Sequence, residues 1–393
     1  MKENWQYKKL GEVCDVINGL WTGKKEPLIK VAVIRNTNFS KDCKLKFDDV
    51  AYINVEEKQF NSRKLKFGDI IVEKSGGSEK QPVGRAVLFD VRYDNFSFSN
   101  FTATLRIKDI NIIDPFFLHK SLYFYYKNGE TFKMQSKTTG LHNLNMKDYL
   151  NLSIPLPSLK EQERIVAELD LLSGIIEKQK QQLKELDTLA QSIFYSMFGD
   201  PITNDKGWEI KKLGEISEIG SGGTPSKSIK EYWENGTIPW IGSNMCQNII
   251  INKTDGKYIT EDGLKHSSAK ILPLNSVLVA LVGATIGKVG LLKTICCTNQ
   301  NIAFIKPTDK FNSYFLFYVI ISLYPLFQDL GGDKFKMANL TFIRNLPIIL
   351  PPLDLQNRFA EKIEKIEKQK EAINKSIEET QKLFDYTMDK YFG

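Results

Sequence analysis

The sequence predicts an α+β protein of two pseudo-symmetric modules. Each is a mainly β lobe with small helices followed by a helix of ~40 residues, and the two long helices pair as an antiparallel coiled coil. Three observations lead there. The stretch SLKEQERIVAELDLLSGIIEKQKQQLKELDTLAQSIFYSMFG, residues 158–199, has no Pro and a single interior Gly, Gly174. Along it Leu169, Ile176, Leu183 and Ala190 fall seven apart, with Leu172, Leu186 and Ile193 on a second line three residues further on. That is an apolar seam broken by one polar residue, Gln179, and a helix with such a seam needs a helical partner. The partner is the second observation. Residues 352–393 repeat the stretch at an offset of 194, which sets Ile363 on Leu169, Ile373 on Gln179, Ile377 on Leu183 and Phe384 on Ala190, with Ile366 in the same seam. The third is that the repeat extends beyond the helices. WQYKKLGEV at Trp5 returns as WEIKKLGEI at Trp208, and Val83-Gly84-Arg85-Ala86 returns as Ile286-Gly287-Lys288-Val289, both at an offset of 203.

The chain thus divides into a first lobe (1–157), a first long helix (158–199), a second lobe (200–351) and a second long helix (352–393). In the first lobe Lys30–Arg35, Asp69–Val72 and Arg85–Phe89 are short β-branched runs bounded by Gly and Pro. In the second, Ile238–Ile241, Ser276–Leu281 and Lys288–Leu292 take the same places. Each lobe then has an aromatic helix. One starts at Asp114-Pro115, with Asp114 as N-cap and Pro115 in the first turn, and the other at Asn312. Their aromatic residues read as core. A loop at Lys137–Gly140 or Gly331–Lys336 then precedes an Asn-apolar strand, containing Asn145 and Asn151 or Asn339 and Asn345. The segments Ile154-Pro-Leu-Pro157 and Leu350-Pro-Pro352 stop that strand, and the long helix begins. Two helices of this length, about 60 Å each at 1.5 Å per residue, would hold the lobes at opposite ends about a pseudo-twofold axis.

Composition narrows the classes. The 42% hydrophobic and 11% aromatic content is that of a globular chain. The N-terminal MKENWQYKKL lacks the apolar core of a signal peptide, and the most apolar run, Tyr314–Phe327, is too short to span a bilayer and contains Pro325. Five Cys without a C-x-x-C pair suit a reducing cytoplasm, and adjacent Cys296 and Cys297 read as strand filler. The formal charge of +7 divides as +7 on 1–157, −2 on 158–199, +3 on 200–351 and −1 on 352–393. The positive excess sits in the lobes, which points to a polyanion gripped there.

No catalytic constellation emerges. His119, His142 and His266 stand alone, without a second ligand at metal spacing. Gly283–Val289 is one residue short of a phosphate loop and lacks its Ser/Thr, so it reads as a turn between two strands. Asp69-x3-Glu73-Lys74 misses a nuclease motif, because adjacent Glu73 and Lys74 point to opposite faces of a strand. Binding residues remain. Lobe one offers Arg35, Asn36 and Asn38, then Lys74, Ser75, Gly76, Gly77, Lys80, Gln81 and Arg85, with Lys137 and Thr138 further on. Lobe two offers Ser243, Asn244, Gln247, Asn248, Thr285, Lys288, Lys334 and Lys336. On turns, such Arg, Lys, Asn and Gln side chains can read base edges in a major groove or hold phosphates.

With Ile154-Pro-Leu-Pro-x-Leu-x-x-Gln162 echoed as Ile349-Leu-Pro-Pro-Leu-x-x-Gln356, and Arg164 echoed by Arg358, these motifs resemble the specificity (S) subunit of type I restriction–modification systems over essentially all 393 residues. The resemblance implies two target-recognition domains, each reading one half of a bipartite double-stranded DNA site. It implies that two methyltransferase (M) subunits and restriction (R) subunits assemble on S, with no catalysis and no cofactor of its own. The competing expectation is a duplicated coiled-coil scaffold whose lobes bind protein rather than DNA. A nuclease or methyltransferase in its own right would need cofactor binding by this chain.

Overall fold

The computed structural model describes residues 5–79, 81–93, 95–138, 141–330 and 337–393, with backbone alone for Lys137 and Thr138. The chain forms two compact units, one of Met1–Lys178 with Ser376–Gly393, the other of Gln179–Lys375.

In the first unit the β-branched runs build a four-stranded antiparallel sheet in the order Cys14–Asn18, Thr102–Ile107, Ile70–Glu73, Ala86–Leu88. A second sheet places Leu28–Ile34 between Ala51–Glu56, antiparallel, and Phe96–Phe98, parallel. The opening strand Gln6–Lys9 pairs with Ser153–Leu156 and ties the start of the lobe to its end. The aromatic helix Pro115–Lys127 begins as its sequence requires, with the Asp114 carboxylate accepting from the Phe117 amide at 2.8 Å.

The second unit repeats this plan. A five-stranded sheet runs Ile219–Ser221, Ile302–Ile305, Val277–Ala280, Val289–Leu292, Ile249–Ile251. A second sheet again has a central strand, Ile238–Ile241, with an antiparallel neighbour (Tyr258–Ile259) and a parallel one (Cys297–Thr298). Ile210–Lys212 pairs with Pro347–Ile349. Gly283–Thr285 is a single helical turn joining Val277–Ala280 to Val289–Leu292, as expected of a strand connection. The long apolar run is two helices, Ser313–Ser322 capped by Asn312 and Tyr324–Gln328, parted just before Pro325, which lacks an N–H to continue the ladder.

The long helices, Leu159–Phe198 and Leu353–Phe392, run antiparallel within each unit. In the first, Arg164 and Glu168 both bond the Tyr391 hydroxyl, and Ile165, Leu169 and Leu172 share a core with Phe384, Met388 and Phe392. In the second, Phe194 and Phe198 meet Phe359 edge-on at 5.6 and 5.4 Å, and Lys370 pairs with Asp187 at 2.8 Å. Each aromatic helix packs on the far end of the other module's long helix: Phe117 on Phe392 at 5.3 Å, and Phe315 on Phe198 at 4.8 Å. Of the seam residues, Leu169, Leu172, Ile176, Ile363, Ile366 and Phe384 are buried, whereas Leu183, Leu186, Ile193, Ile373 and Ile377 are only half-buried. A groove of about 570 Å³, lined by Leu186, Leu189, Ala372 and Ile373 among others, lies along the second unit's part of the pair.

Gln162 and Gln356 explain the motif that starts each long helix. Both are buried, and both accept from the N-cap residue of an aromatic helix, from Asp114 N at 2.8 Å and from Asn312 N at 2.9 Å. Both donate to the carbonyl before the helix, Pro157 at 2.9 Å and Pro351 at 2.8 Å. A buried amide with both ends used locks the helix start to its lobe.

Two local expectations fail. Asn145 and Asn339 do not enter strands. Each caps a one-turn helix, Met146–Leu150 and Leu340–Arg344, because a short Asn side chain reaches the amides two or three residues ahead. Of the loop expected at Lys137–Gly140, residues 137 and 138 instead end a strand, Gln135–Thr138, since Leu141–Leu144 and Ser75–Gly77 complete a three-stranded sheet with it, and residues 139–140 lie outside the described residues.

Candidate nucleic-acid interface

In the first lobe the strand Leu28–Ile34 leads into a single helical turn, Asn36–Asn38. Asn38 is buried and builds that turn, accepting from Arg35 N at 2.9 Å and donating to Asp49 O at 3.0 Å. The Arg35 guanidinium is held by the Asp49 carboxylate at 2.9 Å. Asn36 is half-buried beside Glu73 and Ser75.

Arg85 needs correction. It is 4% exposed and grips Glu73, 1% exposed, through Nε at 2.8 Å and Nη2 at 2.9 Å. It also donates to the carbonyls of Phe39 at 2.9 Å and Asn36 at 3.3 Å. With its Nε and both Nη nitrogens committed, its role is to fasten the Asn36–Asn38 turn to the hairpin rather than to read bases. The Gln81 amide, turned with its oxygen inward, accepts from Nη2 at 2.6 Å. Asp69 is likewise taken up, by Arg106 through Nε at 2.9 Å and Nη2 at 2.7 Å. Both acids of the near-nuclease cluster are therefore structural.

Lys74 is half-buried, donates to Asn18 Oδ1 at 2.8 Å, and is lowered from its ordinary pKa by burial. Ser75, Gly76 and Gly77 form a strand rather than the expected turn, and the Ser75 hydroxyl bonds Asn143. Gly76 is exposed at φ 96°, a conformation that suits only glycine well. Lys80 lies outside the described residues, as do Lys334 and Lys336, and the side chains of Lys137 and Thr138 are not described.

In the second lobe the turn after the central strand is Ser243–Met245, the counterpart of Asn36–Asn38. Asn244 and Gln247 are exposed, and Ser243 is half-buried. Asn248 belongs to the framework instead. At φ 59° it donates its N–H to Val289 O at 2.8 Å and accepts from Val289 N at 2.9 Å, stitching the turn to the sheet. Thr285 donates to Val282 O, and the Lys288 ammonium lies 4.8 Å over the Tyr324 ring.

Three features of these faces carried no sequence signal. Phe101, 44% exposed, accepts the Lys74 and Ser75 amides on its carbonyl and sets its ring beside Gly76. Asn18 and Asn143 hold Lys74 and Ser75 from distant strands. A cleft of about 530 Å³ opens beside Ser243 and Asn244, walled by Trp233 and Trp240. His119 donates from Nε2 to the carbonyls of Cys43 and Ala86, each at 3.1 Å, and burial lowers its pKa to about 4. No group of three or more His, Cys, Asp or Glu suited to a metal occurs among the described residues.

Two turns stand in corresponding places of the two lobes and carry different amide and hydroxyl groups. The type I restriction modification DNA specificity domain matches residues 2–187 and again 205–381. The chain belongs to that DNA specificity family. Among its relatives is the EcoR124I/EcoR124II specificity subunit of Escherichia coli, 27% identical over 63% of this chain and 64% of that protein. The MjaVIII specificity subunit of Methanocaldococcus jannaschii is 32% identical over 66% of this chain and 67% of its own length. A putative MjaX specificity subunit from the same organism is 25% identical over 95% of this chain and 91% of its length. Among solved structures, a type I restriction–modification S subunit from M. genitalium covers all of this chain and 98% of its own, at TM-score 0.58 and 15% identity. A chain from a study of complex assembly and conformational transition in the type I system gives TM-score 0.60 at 22% identity, covering 100% of this chain and 98% of its own. As a specificity-family protein the chain has two domains of one kind.

Proposed function

We propose that this specificity-family chain reads a bipartite double-stranded DNA site, lobe 1–157 on one half and lobe 200–351 on the other. Helices 158–199 and 352–393 then act as spacers that fix the half-site separation and carry two M subunits and the R subunits. The chain itself catalyses nothing, takes no cofactor and works in the cytoplasm. The observation that carries the reading is the pair of corresponding turns, built on the same strand order but presenting different side chains. Different readers at matched places suit a site whose halves differ, as a pseudo-dimer on an asymmetric operator would.

In the first lobe Asn36, Lys74, Ser75 and Gly76 are the contacts this reading favours, and in the second Ser243, Asn244, Gln247, Thr285 and Lys288. Partner docking has its own support. Leu189 and Leu383 occupy matching positions of the long helices and are 47% and 51% exposed, as two copies of one partner would require. No helix of the described residues is long and apolar enough to cross a membrane.

The test is to express the chain with its M subunits in a host lacking other methylation and to map methylated adenines across the genome. One interrupted, non-palindromic motif is expected. Exchanging residues 1–157 for those of another family member should change one half of the motif and leave the other intact. Changes in both halves, or no motif, would overturn the reading and favour a protein-binding scaffold.

A further inference from the structure

The cleft beside Ser243 has a definite origin in the repeat. Val33 stands opposite Ala51 in the first lobe, and Trp240 bonds Lys257 in the second, so the two central strands align. The next residues then correspond as well: Ser99 N donates to Ile34 O, and Asn299 N donates to Ile241 O. By that register Gly242 stands where the first lobe has Arg35, and Asp255 stands where it has Asp49. In the first lobe Asp49 holds the Arg35 guanidinium. In the second there is no side chain to hold, and Asp255 pairs instead with Lys257 at 2.6 Å. The absent side chain at Gly242 leaves the cleft open.

Its walls have the chemistry of a nucleotide site. Trp233 and Trp240 meet at right angles, 5.2 Å between centroids, and form an apolar corner. Both indole N–H groups already donate to backbone carbonyls, Ser226 at 3.1 Å and Gly223 at 2.9 Å, so the rings are fixed; half-buried Trp233 offers ring surface to the cleft and Trp240, 7% exposed, backs it. Lys227 and Lys230 at the rim are exposed and make no ion pair among the described residues. The amides of Asn244 and Asn299 line the same cleft. A flat aromatic group stacks on such a corner, amides and hydroxyls address its edge, and ammonium groups hold an attached phosphate. The volume falls in the range of small-ligand sites.

We propose that this cleft in the second lobe binds a single nucleotide, with its base against Trp233 and Trp240 and its phosphate toward Lys227 and Lys230. The nucleotide comes either from solution or from the bound duplex, unstacked from its neighbours. Only the second source rests on the DNA reading proposed above.

Gly242→Arg tests it, because it rebuilds the first lobe's residue with Asp255 in place to receive it. Gly242 has φ −96°, open to any residue, and a Cβ there meets first the movable Oδ1 of Asn244 at 2.7 Å. Gly242→Ala keeps the cleft, and the pair Lys227→Glu with Lys230→Glu removes the phosphate contacts without filling it. Binding of dAMP, dCMP, dGMP and dTMP by the full chain would be measured by calorimetry. In parallel, duplexes carrying the mapped site would be scanned with 2-aminopurine in the second half-site. The wild type and Gly242→Ala should bind a mononucleotide, or brighten one 2-aminopurine position several-fold. Gly242→Arg and the lysine pair should each lose that signal by at least tenfold. A mononucleotide signal alone assigns a free nucleotide, and a 2-aminopurine signal assigns one from the duplex. Wild-type protein that gives neither, or Gly242→Arg that matches wild type, overturns the proposal. Failure of the wild type to bind any duplex would instead sink the DNA reading, and the mononucleotide arm would still decide on the cleft.

Discussion

In the first lobe the strand Ile70–Glu73 ends in a carboxylate that is buried against Arg85. In the second, the matching strand ends in Ala280, and the residue across the hairpin is Lys288, half-buried over an aromatic ring. The backbones are the same. Glu73 N donates to Arg85 O at 2.9 Å and Gly84 N to Glu73 O at 3.0 Å, while Ala280 N donates to Lys288 O and Gly287 N to Ala280 O, both at 2.9 Å. Identical ladders thus hold opposite solutions. One lobe spends its basic residue on an internal ion pair that fastens the neighbouring turn, and the other leaves its basic residue near the surface. Lobe net charge is therefore a poor measure of what faces DNA. Arg35, Arg85 and Arg106 all pair with carboxylates of the first lobe, so the excess of +7 there resides on other residues.

The sharpest way to break this comparison is Glu73→Ala, which leaves a buried guanidinium uncompensated. It should destabilise the first lobe by about 3–5 kcal/mol in denaturant unfolding, with the second lobe untouched. Adding Arg85→Lys installs the second lobe's residues at both positions. The two changes should couple by about 2 kcal/mol, so that the double variant is more stable than additivity predicts. Additive losses would show that the pair is not the unit. Next in size, Gln162→Ala and Gln356→Ala each strip a buried helix-cap amide and a carbonyl of their partner. Each should lower stability by about 2–3 kcal/mol, Gln162→Ala the more, because its amide also donates to Ile112 O at 2.9 Å. No loss from either would count against a locking role.

Acid should separate the lobes by about 2 kcal/mol. Folded His119 titrates near 4, below the ordinary imidazole range, so the unfolded chain takes up the proton first. Its contribution is complete above about pH 6.5 and is lost as the pH falls toward 4, at roughly 1.4 kcal/mol per unit once the unfolded imidazole is protonated. The corresponding position of the second lobe's aromatic helix is Phe317, which does not titrate. Hydrogen exchange at pH 7 and 4.5 should show the first lobe loosening first. Smallest is Lys288→Ala, which removes a contact with Tyr324 worth about 0.5–1 kcal/mol. If Lys288 also meets a phosphate, duplex affinity should fall and its log–log salt slope should shrink by about one, with the first half-site's preference unchanged. An unchanged slope would confine Lys288 to packing.

Much of the fold was legible because it rests on local, periodic signals. The repeat at offsets of 194 and 203, the six β-branched runs, Asp114 as a cap and Asn312 as a helix start all occupy the structural places their residues announce. What escaped depends on partners distant in sequence. Nothing near Arg85 says that Glu73, across the hairpin, will bury it. Ser75-Gly76-Gly77 has no β-branched residue and reads as turn, and it becomes a strand only because Leu141–Leu144 offers it an edge. Asn38 and Asn248 look like exposed readers, yet their short amides are more useful to the backbone beside them. Trp233 and Trp240 carried no functional signal in the sequence, and both belong to one small core. Only the missing side chain at Gly242 turns their other side into a wall, and that absence shows only when the two lobes are set in register.

The packing of Phe392 against Phe117 and Phe124 has a consequence for how the protein is made. The first unit's core includes Phe384, Met388, Tyr391 and Phe392, so it waits for residues 376–393 to leave the ribosome. The second unit is one continuous segment, 179–375, and has all its parts earlier. At a synthesis rate of about 5–20 residues per second, the lobe that emerges first spends on the order of ten seconds or more with an open apolar face. Birth order and completion order are thus reversed in this chain, and a chain stopped before residue 376 carries a first lobe that its own sequence cannot close in the native way.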